Sequence, residues 1–258
     1  MMANNTKQHK RSDQPAANPD QEQMTAKAFV EKLKTFHSPQ AVEANDHLAA
    51  DQEDVSIGVR MGQVFALAKE FMNMPLDEVE KLLESSIHEV RVGAVSIMDF
   101  QARNKKTSEE RKKELFDLYI RRHDRINTWD LVDRSAPYVV GGYLFDKKRD
   151  ILYKLARSAR MAERRTAIVS TGYFIRQGDV TDTFKIAEIL LNDHEDLIHK
   201  ATGWMLRAAG DQDRDQLVGF LEKYAASMPR TTLRYALEHF DKKQREVFMN
   251  MKNISWRS

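Results

Sequence analysis

The sequence predicts an all-α solenoid, in which helix pairs stack side by side into a curved superhelix with a basic concave face. Three observations lead there. The 258 residues contain only 10 Gly and 6 Pro, together about half the usual share of roughly 12%. No stretch reads convincingly as a strand. A short pattern, a basic residue just before an alanine that opens an apolar helical face, returns at intervals near 35 residues.

Residues 1–23 are polar, balanced in charge and free of aromatic side chains, so nothing in them offsets the entropy of ordering; they read as a disordered tail. Residues 24–258 read as a single repeat domain of about fourteen helices, each 10–16 residues long. Ser38-Pro39 has the form of an N-cap followed by Pro at the first helical position. Pro75 opens a helix to about Ser85. Thr107 and Glu110 form a capping box ahead of KELFDLYIRRH. Ala136-Pro137 and Gly141-Gly142 punctuate the middle, and Pro229 opens a late helix.

The repeat emerges when VRVGAVSIM (90–98), RRTAIVSTGYF (164–174), HKATGWML (199–206) and LRYALEHF (233–240) are aligned. Their alanines, Ala94, Ala167, Ala201 and Ala236, lie 73, 34 and 35 residues apart, the first gap being about twice the others. An earlier copy fits at VRMGQVFALA (59–68). A two-helix unit of this period is a HEAT-like repeat, whose helices bury their apolar faces only by stacking on neighbours.

Composition excludes several chemistries. The chain has no cysteine, hence no disulfide, thiolate nucleophile or Cys-based metal site. His194 and His199 are five apart and miss the helical zinc spacing, so no metal and no cofactor are expected. The N-terminus lacks the apolar core of a signal peptide, and the longest near-apolar run, 136–145, is too short to cross a bilayer. The expectation is a soluble cytoplasmic monomer with no membrane role. Net charge is only +2, so a nucleic-acid surface must come from the arrangement of charge.

That arrangement is suggestive. Arg60, Arg91, Arg165, Lys200 and Arg234 occupy the basic slot once per unit, and a row of cations on a concave face suits a phosphate backbone. Alternatively each pairs with a nearby acid such as Glu89 or Glu163. Residues 147–165 add eight Lys or Arg against two acids. The unit due near residue 130 breaks the pattern with NTWDLVDRSAPY (127–138), where Trp129 and Asp133 share a helical face. Trp129 is either a core anchor, with Asp130 supporting the helix start, or part of a site. Trp204 carries the same two readings, and Trp256 reads as packing or tail.

The ordered motifs NTWDLVD…APYVVG, ERRTAI (163–168), DLIHKATGWMLRAAG (196–210) and MPRTTLRYALEHF (228–240) resemble the DNA alkylation repair family, the AlkD-like DNA glycosylases, over about residues 25–250. The resemblance implies that Trp129 and Trp204 flank the damaged nucleotide. It implies that Asp133 is the catalytic carboxylate and that Arg165 contacts DNA near the lesion. Many members carry a second aromatic where this chain has Thr128. The implied substrate is double-stranded DNA containing alkylated bases, with N3- or N7-alkylpurines released by hydrolysis and no full base flipping. Two other readings stay open: a catalytically silent DNA-binding relative, and a helical protein–protein scaffold.

Overall fold

The computed structural model describes residues 24–39 and 55–251. The expected tail, Trp256 and most of the helix expected after Pro39 lie outside them. Among the described residues there are thirteen α-helices, 6 to 17 residues long, and no sheet. They are α1 (Ala26–Lys34), α2 (Met61–Glu70), α3 (Leu76–Leu83), α4 (His88–Arg103), α5 (Glu109–Arg121) and α6 (Trp129–Ala136), then α7 (Asp150–Leu155), α8 (Met161–Arg176), α9 (Thr181–Leu190), α10 (Asp196–Gln212), α11 (Arg214–Tyr224), α12 (Arg230–Ala236) and α13 (Lys242–Met249). A π-helical segment, Pro137–Gly142, follows α6 directly.

The helices form two layers. In one, α2, α4, α6, α8, α10 and α12 pack each on the next. In the other, α3, α5, α7, α9 and α11 cover that row. The repeat alanines Ala94, Ala167, Ala201 and Ala236 sit on successive members of the row apart from α6, and all are buried. One apolar core runs from Phe29 to Phe248. This is the stacked, all-α architecture the repeat predicts.

Local chemistry explains most helix ends. Pro75 and Pro229 precede the first residues of α3 and α12. The capping box expected at Thr107 and Glu110 does not form, and a simple serine cap one residue later takes its place. Ser108 is the N-cap of α5 and its side chain accepts the Arg111 N–H. Thr107 instead donates its hydroxyl to the Gln101 carbonyl at 2.7 Å, closing the preceding helix rather than opening the next.

The expected break at Pro137 and Gly141-Gly142 does not occur. The chain stays helical from Trp129 through Leu144, widening to π geometry at Pro137–Gly142. A π turn re-pairs the backbone around the proline, which cannot donate to the α ladder. Gly141 is required by packing: a Cβ there would lie 2.1 Å from the Ser170 carbonyl oxygen on α8. These glycines are contact points between helices, not punctuation.

Candidate active site and nucleic-acid interface

Trp129 is the first residue of α6, after Thr128 in an extended N-cap conformation. The residue is 36% exposed. Asp130 turns inward, where its Oδ2 lies 2.7 Å from His88 Nε2 and its Oδ1 accepts the Thr128 hydroxyl at 2.6 Å. Burial pushes the Asp130 carboxyl up, but the His88 and Thr128 contacts outweigh it and hold the group below its ordinary value. Thr128 thus helps fix the start of the helix.

Asp133, one turn on, faces α8. Arg165 clamps it in a two-pronged pair, Nε to Oδ1 at 2.8 Å and Nη2 to Oδ2 at 2.7 Å. The Arg165 Nη1 donates to the Leu197 carbonyl at the start of α10. One guanidinium therefore ties three consecutive helices of the row together. Its carbon lies 6.0 Å from the Trp129 ring centroid. Burial raises the Asp133 carboxyl above its ordinary value, Arg165 opposes that rise, and the nearby Asp130 charge adds to it. A guanidinium has donors only, so a pair using both carboxylate oxygens selects the ionised form.

The two tryptophans meet at a pocket of about 430 Å³ lined by Trp129, Arg165, Leu197, Lys200, Ala201, Trp204, Arg207 and Tyr235. Helix α10 supplies five of these from one face, at spacings of three or four residues. Ala201 keeps the floor open. Tyr235 arrives from α12 because Gly203 lets the two helices touch: a Cβ at 203 would lie 2.5 Å from Tyr235 Cβ and 2.6 Å from the Thr232 carbonyl oxygen. The lining therefore combines three aromatic rings with three cations and no acid. Acids stand just behind it, Asp196 at 2.7 Å from Lys200 and Glu238 paired with Arg207.

Of the residues singled out in the sequence, Trp129, Arg165, Lys200 and Trp204 come together in this pocket. Asp133 sits behind Arg165 with its side chain 21% exposed, outside the lining. Arg60 and Arg234 are exposed but outside the lining, Arg60 ahead of α2 and Arg234 beside Tyr235 on α12. Arg91 departs from the expectation. It is wholly buried, because α4 is enclosed on nearly every side, so its guanidinium has no route to a phosphate. The basic stretch 147–165 is also largely neutralised: Arg149 pairs with Asp179 and Asp182, Arg160 with Glu163, and Arg164 with Asp193. Ion pairing is thus the fate of Arg165 too, although with Asp133 and not with Glu163.

Tyr235, Arg207 and Leu197 were not anticipated. Arg207 and Leu197 share the helix of Trp204 at matching spacing, a signal present in DLIHKATGWMLRAAG. Tyr235 carries no such signal, because its position depends on how α12 crosses α10.

Among the described residues no three His, Asp or Glu side chains group as a metal site, and no helix is long and apolar enough to cross a membrane. No curated protein matches the chain. A solved structure of a predicted DNA alkylation repair enzyme from Enterococcus faecalis has the same fold, with a TM-score of 0.64 at 16% identity, covering 80% of this chain and 97% of that one. The sequence profile of DNA alkylation repair enzymes matches residues 23–240. With that match spanning most of its length, the chain belongs to the DNA alkylation repair enzyme family.

Proposed function

We propose that the protein is a DNA glycosylase that hydrolyses the N-glycosidic bond of cationic N3- and N7-alkylpurines in duplex DNA. The observation that carries this reading is Asp133, a carboxylate paired through both oxygens with Arg165 directly behind a pocket walled by Trp129 and Trp204.

The chemistry asks little else of the protein. A purine alkylated at N3 or N7 carries a positive charge that is neutralised when the base departs. The leaving group therefore needs no protonation, and the usual two-carboxylate machinery of glycoside hydrolysis reduces to one. As the bond to the base breaks, positive charge builds on the deoxyribose, and the fixed negative charge of Asp133 stabilises it. A carboxylate has about four lone-pair sites; Arg165 takes two, leaving others for the sugar and the attacking water. Water adds to the sugar carbon and its surplus proton passes to solvent.

Trp129 and Trp204 offer π faces to the cationic nucleotide, each worth roughly 0.5–2 kcal/mol. A neutral purine gains little from those faces and remains a poor leaving group. Both Trp129 and Tyr235 are 36% exposed, as walls of an open surface and not of a closing chamber. This supports chemistry on a nucleotide that is not fully flipped and predicts tolerance of bulky alkyl groups; release confined to methyl adducts contradicts it. The acid-free lining favours a polyanion over a protein partner.

A second reading is a DNA-binding relative without turnover. One feature favours it: both oxygens of Asp133 are engaged by Arg165. Single-turnover release of N7-methylguanine from a duplex, wild type against Asp133→Asn, separates the two. Release lost in the variant with binding retained supports the glycosylase, whereas binding without release by either protein supports the silent relative.

A further inference from the structure

A second constellation of cations and aromatics lies away from the tryptophan pocket, toward the other end of α8 and of the helix that Trp129 opens. It surrounds Tyr138 on the π turn. A pocket of about 280 Å³ there is lined by Arg103, Asn104, Lys105, Lys112, Tyr138, Tyr173 and neighbours, with no acid among them. The Arg103 guanidinium carbon lies 3.8 Å from the Tyr138 ring centroid, and that of Arg176 lies 5.3 Å away.

Resting on the reading that a duplex lies across the Trp129–Trp204 pocket, we propose that the Tyr138 pocket is a second nucleic-acid subsite, gripping a backbone phosphate of that duplex away from the lesion.

Part of the charge here is free to meet a ligand. Among the described residues, Lys105 and Arg176 have no carboxylate partner within 4 Å, and Arg103 pairs only through its Nε with the buried Asp99, leaving both Nη groups to donate. Two of these cations can be explained without a ligand, since Arg103 and Arg176 end α4 and α8, where positive charge offsets the helix dipole. That explanation fails for Lys112. It lies in the opening turns of α5, the end at which a cation is disfavoured, and is balanced there by the exposed Glu109 and Asp146. Lys105 lies beyond the end of α4 altogether.

Spacing supports the assignment. Arg165 and Arg176 are eleven residues apart on α8, about three turns, so they share a face at roughly 16 Å. Steps of about 3.4 Å per nucleotide along one strand place that distance near five nucleotides. A straight helix with one guanidinium beside the lesion and another over a remote phosphate sets the register of the duplex. The π turn contributes by carrying Tyr138 to within reach of both arginines.

The test is equilibrium binding of an undamaged duplex over a range of salt, comparing the full chain with Lys105→Gln/Lys112→Gln. A control variant, Lys113→Gln/Lys185→Gln, removes the same charge from exposed lysines elsewhere. Each lost phosphate contact lowers the slope of log K against log salt by about 0.9, which is roughly eightfold in affinity at 0.1 M salt. The expected result is a shallower slope for the first variant alone. Equal slopes for the two variants, with wild type binding well, overturn the subsite and leave the glycosylase reading intact. Wild type without salt-dependent binding overturns both.

Discussion

Gly141→Ala is expected to damage both stability and chemistry through one contact. An alanine Cβ at this position meets the Ser170 carbonyl oxygen at 2.1 Å and Tyr173 Cβ at 3.0 Å, where ordinary contacts begin near 3.4 Å. The clashing oxygen is backbone, so no side-chain rotation relieves it. The π turn and α8 must separate by about 1 Å, within an interior packed too densely to absorb the shift. Overpacking of this kind costs about 1–3 kcal/mol, and in a chain of this size each kcal/mol lowers the melting temperature by about 2–4 °C. The expected loss is therefore roughly 2–12 °C.

The same shift strains the site, because the two sides of this contact carry Asp133 and Arg165. A misplacement of about 1 Å costs on the order of 100-fold in rate. Thermal unfolding and single-turnover base release measure the two effects. Gly142→Ala is the internal comparison: its Cβ meets only the Tyr173 ring, at 3.4 Å, and it should melt within a degree or two of wild type. Gly141→Ala melting and turning over like Gly142→Ala would refute the claim that helix contact, not chain reversal, requires the first glycine.

The remaining expectations concern charge, caps and aromatic walls. Arg165→Gln leaves the largely buried Asp133 without its partner, which costs about 3–5 kcal/mol, read by denaturant unfolding; a loss below 1 kcal/mol contradicts the pairing. Protonated Asp133 cannot stabilise a cationic sugar, so base release falls as pH drops through its pKa. Because burial raises that pKa above 3.8, the acid limb of the pH–rate profile should lie above the ordinary aspartate position and move higher still in Arg165→Gln, whose lowering influence is gone. A limb at or below 3.8 contradicts this. Ser108→Ala should cost about 1 kcal/mol through loss of the α5 cap, and an unchanged melting temperature would return the cap to Thr107. Trp204→Ala should slow release of a cationic lesion by about 2- to 30-fold, the rate equivalent of one cation–π face, while leaving undamaged-duplex affinity nearly unchanged.

The parts of this molecule legible in the sequence are those fixed by local pattern. The alanines at 94, 167, 201 and 236 marked four helices of one row because small residues and apolar periodicity are properties of a helix by itself. Trp129, Arg165, Lys200 and Trp204 converge because the repeat places equivalent positions side by side. What escaped the sequence depends on contacts between helices far apart in the chain. Arg91 has the same local pattern as Arg165 but belongs to an enclosed helix, and periodicity does not report which face a neighbour covers. Gly141 reads as a breaker until the carbonyl of Ser170 is placed against it. Tyr235 enters the pocket only through the close crossing at Gly203.

The central claim is that Asp133, held by Arg165 behind the paired tryptophans, makes the bond to a cationic base break. The most direct measurement is single-turnover release of N7-methylguanine from a duplex by wild type and by Asp133→Asn, with duplex affinity measured on the same samples. The account predicts release by wild type and a loss on the order of 100-fold or more in the variant, at similar affinity. Equal release by both proteins would contradict it, because the pocket would then act without the carboxylate on which the mechanism rests.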